Sequence, residues 1–227
     1  MPTDQLLNRR VYIRITNKCN KDCSFCFYKN DPKEHTEISL DTVKRIVRKE
    51  FARHDMATML RVGLSGGEPT LHSNYKAIAN YVVNMAPQGV LLSFETNGTK
   101  LDDPEFLEFT DIFTKQNAIL KISFNSDLIE SDPDWLPKFI NFNKYALDKN
   151  INFMLGIRYR DEEDKQKLTK IIEDNNIRAN WSSGDSHIYF PVKDINLYRD
   201  GMLPSYEVSW VVYDSDGEQI FEFSCDK

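Results

Sequence analysis

The run Val11-Tyr12-Ile13-Arg14-Ile15-Thr16 alternates apolar and polar side chains, and two residues later comes Cys19-Asn20-Lys21-Asp22-Cys23-Ser24-Phe25-Cys26. Alternation of this kind predicts a strand with one buried face. Three thiols spaced C-x3-C-x2-C then sit on the loop that leaves the strand. So short a loop can wrap a single inorganic cluster. Three thiolates ligate three irons of a 4Fe–4S cluster, whereas a plain electron-transfer cluster takes four cysteines. The fourth iron is then open, by the logic that separates closed structural metal sites from open catalytic ones. Zinc and a disulfide are the bland alternatives. Zinc asks for a fourth ligand, and the nearest candidate, His35, lies outside finger spacing. A disulfide framework belongs to secreted domains, and Met-Pro-Thr-Asp-Gln at the N-terminus has no apolar signal core.

The bulk properties narrow the class. A chain of 227 residues holds one domain of ample size, or one domain with a short appendage. Its 41% hydrophobic and 28% charged residues are the balance of a soluble globular protein. A net charge of −6 without a basic run argues against a nucleic-acid partner. No apolar run approaches the ~20 residues of a membrane span, so no membrane partner is expected. Four cysteines, three of them clustered, fit a reducing compartment, and the expected location is cytoplasmic.

Outward from the cysteine loop, strand and helix signals alternate. Ser39 reads as an N-cap ahead of Val43, Ile46, Val47 and Phe51 at helical spacing. A second strand, Arg61–Ser65, ends at Gly66-Gly67-Glu68-Pro69, and a helix covers about Asn74–Ala86. Leu91–Asn97 is a third strand, Pro104–Lys115 a helix and Ala118–Asn125 a fourth strand. Pro133–Asp148 is helical, Ile151–Arg158 a fifth strand, Glu162–Asn175 a charged helix and Ile177–Trp181 a sixth strand. Six β/α units in series imply a parallel sheet with right-handed crossovers. The last residues depart from this rhythm. Tyr206–Tyr213 alternates, Asp214-Ser215-Asp216-Gly217 is a turn and Glu218–Phe223 is strand-like, so a hairpin is expected there.

Faces of the strands favour a barrel over an open doubly wound sheet. Leu92, Phe94 and Thr96 oppose Ser93, Glu95 and Asn97; Leu120, Ile122 and Phe124 oppose Lys121, Ser123 and Asn125. A sheet covered by helices on both faces reads almost continuously apolar, and a closed barrel is filled with apolar side chains. One apolar and one polar face fit helices outside and a wet, ligand-holding interior. The expected fold class is therefore α/β, a partial (β/α)6 barrel over residues 1–182, with a C-terminal extension over 183–227 carrying a short β-hairpin. In α/β folds ligands gather at the carboxyl ends of strands. The cysteine loop, Gly66-Gly67-Glu68, Thr96-Asn97-Gly98, Ser123 with Asn125, and Arg158 all fall at such ends.

The cysteine motif with Phe25 before its last thiol, followed in order by Ser65-Gly66-Gly67-Glu68-Pro69-Thr70-Leu71 and Thr96-Asn97-Gly98, resembles the radical S-adenosylmethionine (radical SAM) superfamily. The resemblance covers roughly residues 8–182. It implies that Cys19, Cys23 and Cys26 ligate a 4Fe–4S cluster and that S-adenosyl-L-methionine chelates the open iron. Gly66, Gly67 and Glu68 would meet the methionine amino group, the glycines allowing close backbone approach and Glu68 adding negative charge. Ser123 and Asn125 match ribose-holding positions, although a structural hydrogen-bonding role suits them almost as well. Arg158 would pair with the methionine carboxylate or contact substrate. Phe25 would contribute backbone contact to adenine, with Gly156 leaving room for the ring, and Asn97 either lines the site or caps its turn. The implied chemistry is reductive cleavage of S-adenosylmethionine to a 5′-deoxyadenosyl radical that takes hydrogen from a substrate.

The substrate expected is a peptide or a small anionic molecule. Lys121, Arg158, Arg178 and Arg14, set against Glu95 and Glu68, suggest a locally basic cavity. An external flavodoxin- or ferredoxin-like reductant is the expected partner, and no residue is assigned as catalytic. A glycyl-radical-enzyme activase is the alternative enzyme, though Asn8-Arg9-Arg10 lacks the glycines its relatives carry before the cysteines. A non-catalytic iron–sulfur redox protein is the alternative from another class. Cys225 alone cannot hold a second cluster, so the cysteine-rich extension of peptide-modifying relatives is not expected.

Overall fold

In the computed structural model, which describes residues 8–26, 36–54, 59–116, 118–178, 187–191 and 208–223, the alternation of Val11–Thr16 becomes the strand it predicts. β1 (Asn8–Thr16) buries Val11, Ile13 and Ile15, with Tyr12 half-buried between them. Ser39 Oγ accepts the Thr42 N–H at 3.1 Å and opens α1 (Leu40–Ala52), whose buried side includes Val43, Ile46, Val47 and Phe51. β2 (Met59–Gly66) leads through a 3-10 turn at Pro69–Leu71 into α2 (Tyr75–Met85). β3 (Leu91–Thr96), α3 (Pro104–Thr114) and β4 (Ala118–Phe124) follow. Next come α4 (Ser126–Ser131) and α5 (Trp135–Asp148). Pro137 sits in the first turn of α5, where its missing N–H has no intrahelical partner to lose. β5 (Phe153–Tyr159), α6 (Glu162–Asp174), β6 (His187–Pro191), β7 (Val208–Tyr213) and β8 (Gln219–Phe223) complete the chain.

The strands run β6-β5-β4-β3-β2-β1-β7-β8 in one eight-stranded sheet that does not close. Neighbours β1–β2, β2–β3, β4–β5 and β5–β6 are parallel. The architecture is the expected α/β partial barrel with a C-terminal hairpin. That hairpin has a definite place: β7 joins β1 in parallel and β8 returns antiparallel to β7. Its turn is set by Asp214, whose Oδ1 accepts the N–H groups of Asp216 and Glu218 at 3.0 and 2.8 Å. Gly217 takes φ +81°, and a Cβ there would meet Thr42 Cγ2 at 2.1 Å, so glycine is required twice over.

The sixth strand is not where alternation put it. Ile177 and Arg178 are outside any strand, Ala179–Trp181 lie outside the described residues, and the strand pairing with β5 is His187–Pro191. Ile177 is buried for another reason. Asn176, at φ 49°, ends α6 with Ile177 N–H donating to Ile172 O at 2.9 Å and Asn176 N–H to Glu173 O at 3.0 Å. This is a Schellman stop, in which the residue after the left-handed position is commonly apolar. Asn150 and Ile151 close α5 in the same way, with Ile151 N–H on Ala146 O at 2.8 Å.

The chain divides into two compact units, one of Met1–Cys19, Pro32–Phe94 and Leu203–Lys227, the other of Asn20–Asp31 and Glu95–Met202. In the first, α1 packs on α2, Ile78 and Ala79 are fully buried, and the Tyr75 ring lies 5.8 Å from that of Phe94. In the second, Phe124, Trp135 and Phe139 form a cluster with centroids 5.3–5.5 Å apart, and Phe142 meets Phe153 edge-on at 5.6 Å. Each buried ring of this size contributes roughly 1.5–3 kcal/mol of transfer free energy. Within this unit the two strand faces differ as the sequence suggests. Leu120, Ile122, Phe124, Leu155 and Ile157 are fully buried, while Glu95, Lys121, Ser123, Gly156 and Arg158 keep partial access.

Candidate functional site

The cysteine loop begins in the first unit, where its entry is locked by backbone. Gly67 N–H donates to Thr16 O at 2.8 Å and Glu68 N–H to Lys18 O at 2.7 Å. A Cβ on Gly66 would stand 2.4 Å from Thr16 O, and one on Gly67 2.2 Å from Lys18 O. The glycines are therefore demanded by the strand leading to Cys19, a neighbour that spacing alone did not reveal. Glu68 is fully buried, and its Oε1 accepts from Thr70 N–H at 3.1 Å and Thr70 Oγ at 2.7 Å, capping the 3-10 turn. The segment returning from the loop is tied to the same place. Ile38 N–H donates to Ile15 O at 2.9 Å, Thr36 N–H to Asn17 Oδ1 at 2.6 Å, and Thr16 bridges to Glu37. Glu37 receives Lys18 Nζ at 2.7 Å and Ser73 Oγ at 2.6 Å. Burial pushes its carboxyl up, but the hydrogen bonds from Lys18 and Ser73 outweigh burial and hold it at about 2.

From Asn20 onward the loop belongs to the second unit and is held by side chains. Asn20 Oδ1 accepts from Asn97 Nδ2 at 3.0 Å, and Asn97 Oδ1 accepts the Thr99 N–H at 2.9 Å, an Asx turn closing the end of β3. Trp135 Nε1 donates to Asn97 O at 2.8 Å. Ser24 N–H and Oγ both donate to Asp127 Oδ2, at 2.6 and 2.8 Å, and Lys21 Nζ to Asp132 Oδ2 at 2.9 Å. The Lys21 hydrogen bond holds the Asp132 carboxyl below its ordinary range. Cys26 N–H turns back onto Cys23 O at 3.1 Å. The Arg158 guanidinium lies 5.8 Å from the Phe25 ring centroid and donates to Ser123 Oγ at 3.1 Å. Beside it, a Cβ on Gly156 would touch nothing nearer than 3.9 Å, so that space is open. Asn125 is buried, with its Oδ1 capping α4 at Leu128 N–H.

The cations expected to line a basic cavity lie in different local settings. Lys121 pairs with Glu95 at 2.8 Å, which offsets its charge. Arg178 is exposed, follows α6 rather than lying on a strand, and donates to Asn176 Oδ1. Arg14 is buried at 3% exposure, and Cys225 lies outside the described residues. Sequence reasoning also missed the clamps of Asp127, Asp132 and Glu37. The signal for α4 was present in Asn125 as a capping residue, Asp127 in the first turn and Asp132 before Pro133.

Cys19 is exposed, Cys23 and Cys26 are partly so, and none is in a disulfide. Among the described residues no three His, Cys, Asp or Glu side chains stand grouped as an assembled metal site. What the loop offers is three reachable soft thiol donors, a donor set that fits an iron–sulfur cluster.

Comparison with known proteins begins at the fold. A structure of anSMEcpe with bound AdoMet and the Cp18Cys peptide superposes with a TM-score of 0.66 at 12% identity, covering 96% of this chain and 74% of that one. Methylornithine synthase (PylB) gives 0.54 at 13% identity, over 82% and 54%. At such identities the likeness establishes the fold alone. Residues 13–155 match the Radical SAM superfamily model, and the chain belongs to that superfamily. The family implies the 4Fe–4S cluster and S-adenosylmethionine as its cofactors. A curated relative, the S-adenosylmethionine-dependent nucleotide dehydratase of Selenomonas ruminantium, is 32% identical over 110 residues, 48% of this chain and 37% of its own length. The GTP 3′,8-cyclase of Haemophilus influenzae (strain 86-028NP) is 25% identical over 207 residues, 89% of this chain and 58% of its own. This chain thus spans about half the length of such relatives. No helix among the described residues is long and apolar enough to cross a membrane.

Proposed function

We propose that this chain is a radical SAM enzyme acting on a small phosphorylated substrate, a nucleotide in the first instance. The observation that carries the reading is the family match over residues 13–155 together with three thiols on a loop whose entry is locked to Gly66-Gly67-Glu68. When bound, the cluster and S-adenosylmethionine supply the 5′-deoxyadenosyl radical that takes hydrogen from a substrate. The residues of this chain do the rest. Cys19, Cys23 and Cys26 hold the irons. Gly66 and Gly67 offer carbonyls to the methionine ammonium, and Glu68 fixes their turn from its buried cap on Thr70. Ser123, Arg158 and Phe25 form a connected patch suited to the nucleoside and carboxylate of the cofactor. Asn97 and Asn125 hold the loop and cap α4 at the edge of the same site.

The nucleotide preference rests on what the two sequence relatives are named for. A peptide substrate is the second reading, since one structure that shares this fold holds a bound peptide. Thiols on an accessible loop favour a reducing, cytoplasmic setting with a flavodoxin- or ferredoxin-like donor.

The test is anaerobic turnover of the reconstituted, reduced protein with S-adenosylmethionine against a panel of nucleoside triphosphates and cysteine-containing peptides. Stimulation of 5′-deoxyadenosine release by a nucleotide supports the reading, and stimulation by peptide alone replaces it with the second. Tight cofactor binding without cleavage under any substrate would favour the non-catalytic iron–sulfur alternative. Hydrogen abstraction from a glycine of a partner enzyme would favour the activase.

A further inference from the structure

The short helix α4 grips the cysteine loop on both sides of Cys23. Asp127, in its first turn, takes both the N–H and the hydroxyl of Ser24 on one oxygen, at 2.6 and 2.8 Å. Asp132, its C-cap, takes Lys21 at 2.9 Å. The helix is itself anchored. Asn125 caps it at 3.0 Å, and Ser126 Oγ donates to Asp164, a carboxylate 6% exposed that also accepts the Arg160 N–H at 2.9 Å. The two clamps differ in charge. Asp132 is balanced by Lys21. Among the described residues Asp127 pairs with Arg160 alone, at 3.9 Å, whose side chain is 43% exposed and shared with Glu130 and Asp164.

We propose that Asp127 is a positioning residue that poises the cluster of the cysteine loop at a low reduction potential. The inference rests on the reading that Cys19, Cys23 and Cys26 hold that cluster. Hydrogen bonds donated to cluster sulfurs, and the charge around it, set its potential. An N–H pointed at sulfur stabilises the added electron and raises the potential. Here the Ser24 amide, next to a ligand, is committed to Asp127, and the Cys26 amide to Cys23 O. The Asp127 carboxylate also places negative charge beside a group that becomes more negative on reduction, which disfavours reduction. Both effects act in the same direction and make the reduced cluster a stronger electron donor.

The experiment is a redox titration of the full chain, anaerobically reconstituted and without S-adenosylmethionine, reading the reduced-cluster signal by electron paramagnetic resonance. Wild type is compared with Asp127→Asn, Asp127→Ala and Ser24→Ala. Asp127→Asn loses the charge and should raise the midpoint until the ratio of reduced to oxidised cluster at the wild-type midpoint poise is about tenfold greater, ~59 mV for one electron. Asp127→Ala also frees the Ser24 amide and should shift further. Ser24→Ala keeps the amide bond and the charge and should match wild type. An unmoved midpoint in Asp127→Asn overturns the proposal, as does a shift in Ser24→Ala equal to it. Failure of Asp127→Asn to take up the cluster overturns it too, since Asp127 would then be needed to build the site rather than to poise it. A wild type that forms no cluster sinks the underlying reading, whereas a normal wild-type cluster with unmoved variants sinks this inference alone.

Discussion

On the amino side of Cys19 the chain is held by its own backbone, through Gly67 N–H on Thr16 O and Glu68 N–H on Lys18 O. On the carboxyl side it is held by side chains, with Asn97 on Asn20, Asp127 on Ser24 and Asp132 on Lys21. The contrast assigns different freedoms to the two stretches. A backbone lock depends on the absence of side chains and tolerates almost no substitution at its glycines. A side-chain clamp can be retuned in length and charge while the loop path is kept. The first stretch therefore sets where the thiols begin, and the second sets the surroundings in which they work.

The largest effect should come from the backbone lock. Gly67→Ala puts a Cβ against Lys18 O, a backbone atom that cannot swing aside, and should cost about 3 kcal/mol or more, read as a lowered denaturation midpoint. An unchanged midpoint would show that the entry is looser than its hydrogen bonds imply. Glu68→Ala removes the acceptor for two buried donors on Thr70 and should cost ~1–3 kcal/mol. Glu68→Gln, which keeps an acceptor, should recover part of that loss in the same denaturation series.

Smaller again is Asn125→Ala. It strips the cap of α4 and should lower stability by ~1 kcal/mol, with faster amide exchange in 126–131 and little change in α2. The mildest test is acid. The folded carboxyl of Glu37 is depressed from 4.5 to about 2, so its contribution is complete above 4.5 and is lost as the pH falls toward 2. Glu37→Gln should lower stability near neutrality, where that contribution is fully present, and flatten the stability–pH curve in that window so that variant and wild type converge in acid.

Much of this was legible from the residues, and the misses share a cause. Long elements announce themselves by period: Val43, Ile46, Val47 and Phe51 marked α1, and Leu120, Ile122 and Phe124 marked β4. Short ones do not. α4 is six residues long, less than two turns, and gives no period to detect, although Asn125 and Asp127 carry its capping chemistry. Ile177 read as the start of a strand because burial alone cannot distinguish a strand residue from the apolar residue of a helix stop. The true β6 is five residues long and ends in proline, an edge-strand feature that weakens the sequence signal. The motif residues were legible as a set, but their neighbours were not. Gly66 and Gly67 announced a close approach, and only the fold names Thr16 and Lys18 as what approaches. A sequence lists charges without their pairings, and only the fold shows Lys121 bonded to Glu95.

The most direct measurement of the central claim is 5′-deoxyadenosine formed by the reduced, reconstituted chain, alongside Cys26→Ala prepared in the same way. The account predicts an iron–sulfur absorption band and nucleoside product in wild type, and loss of product in Cys26→Ala. Equal product from both proteins, or a wild type that binds iron and S-adenosylmethionine yet never cleaves it with or without substrate, would contradict it.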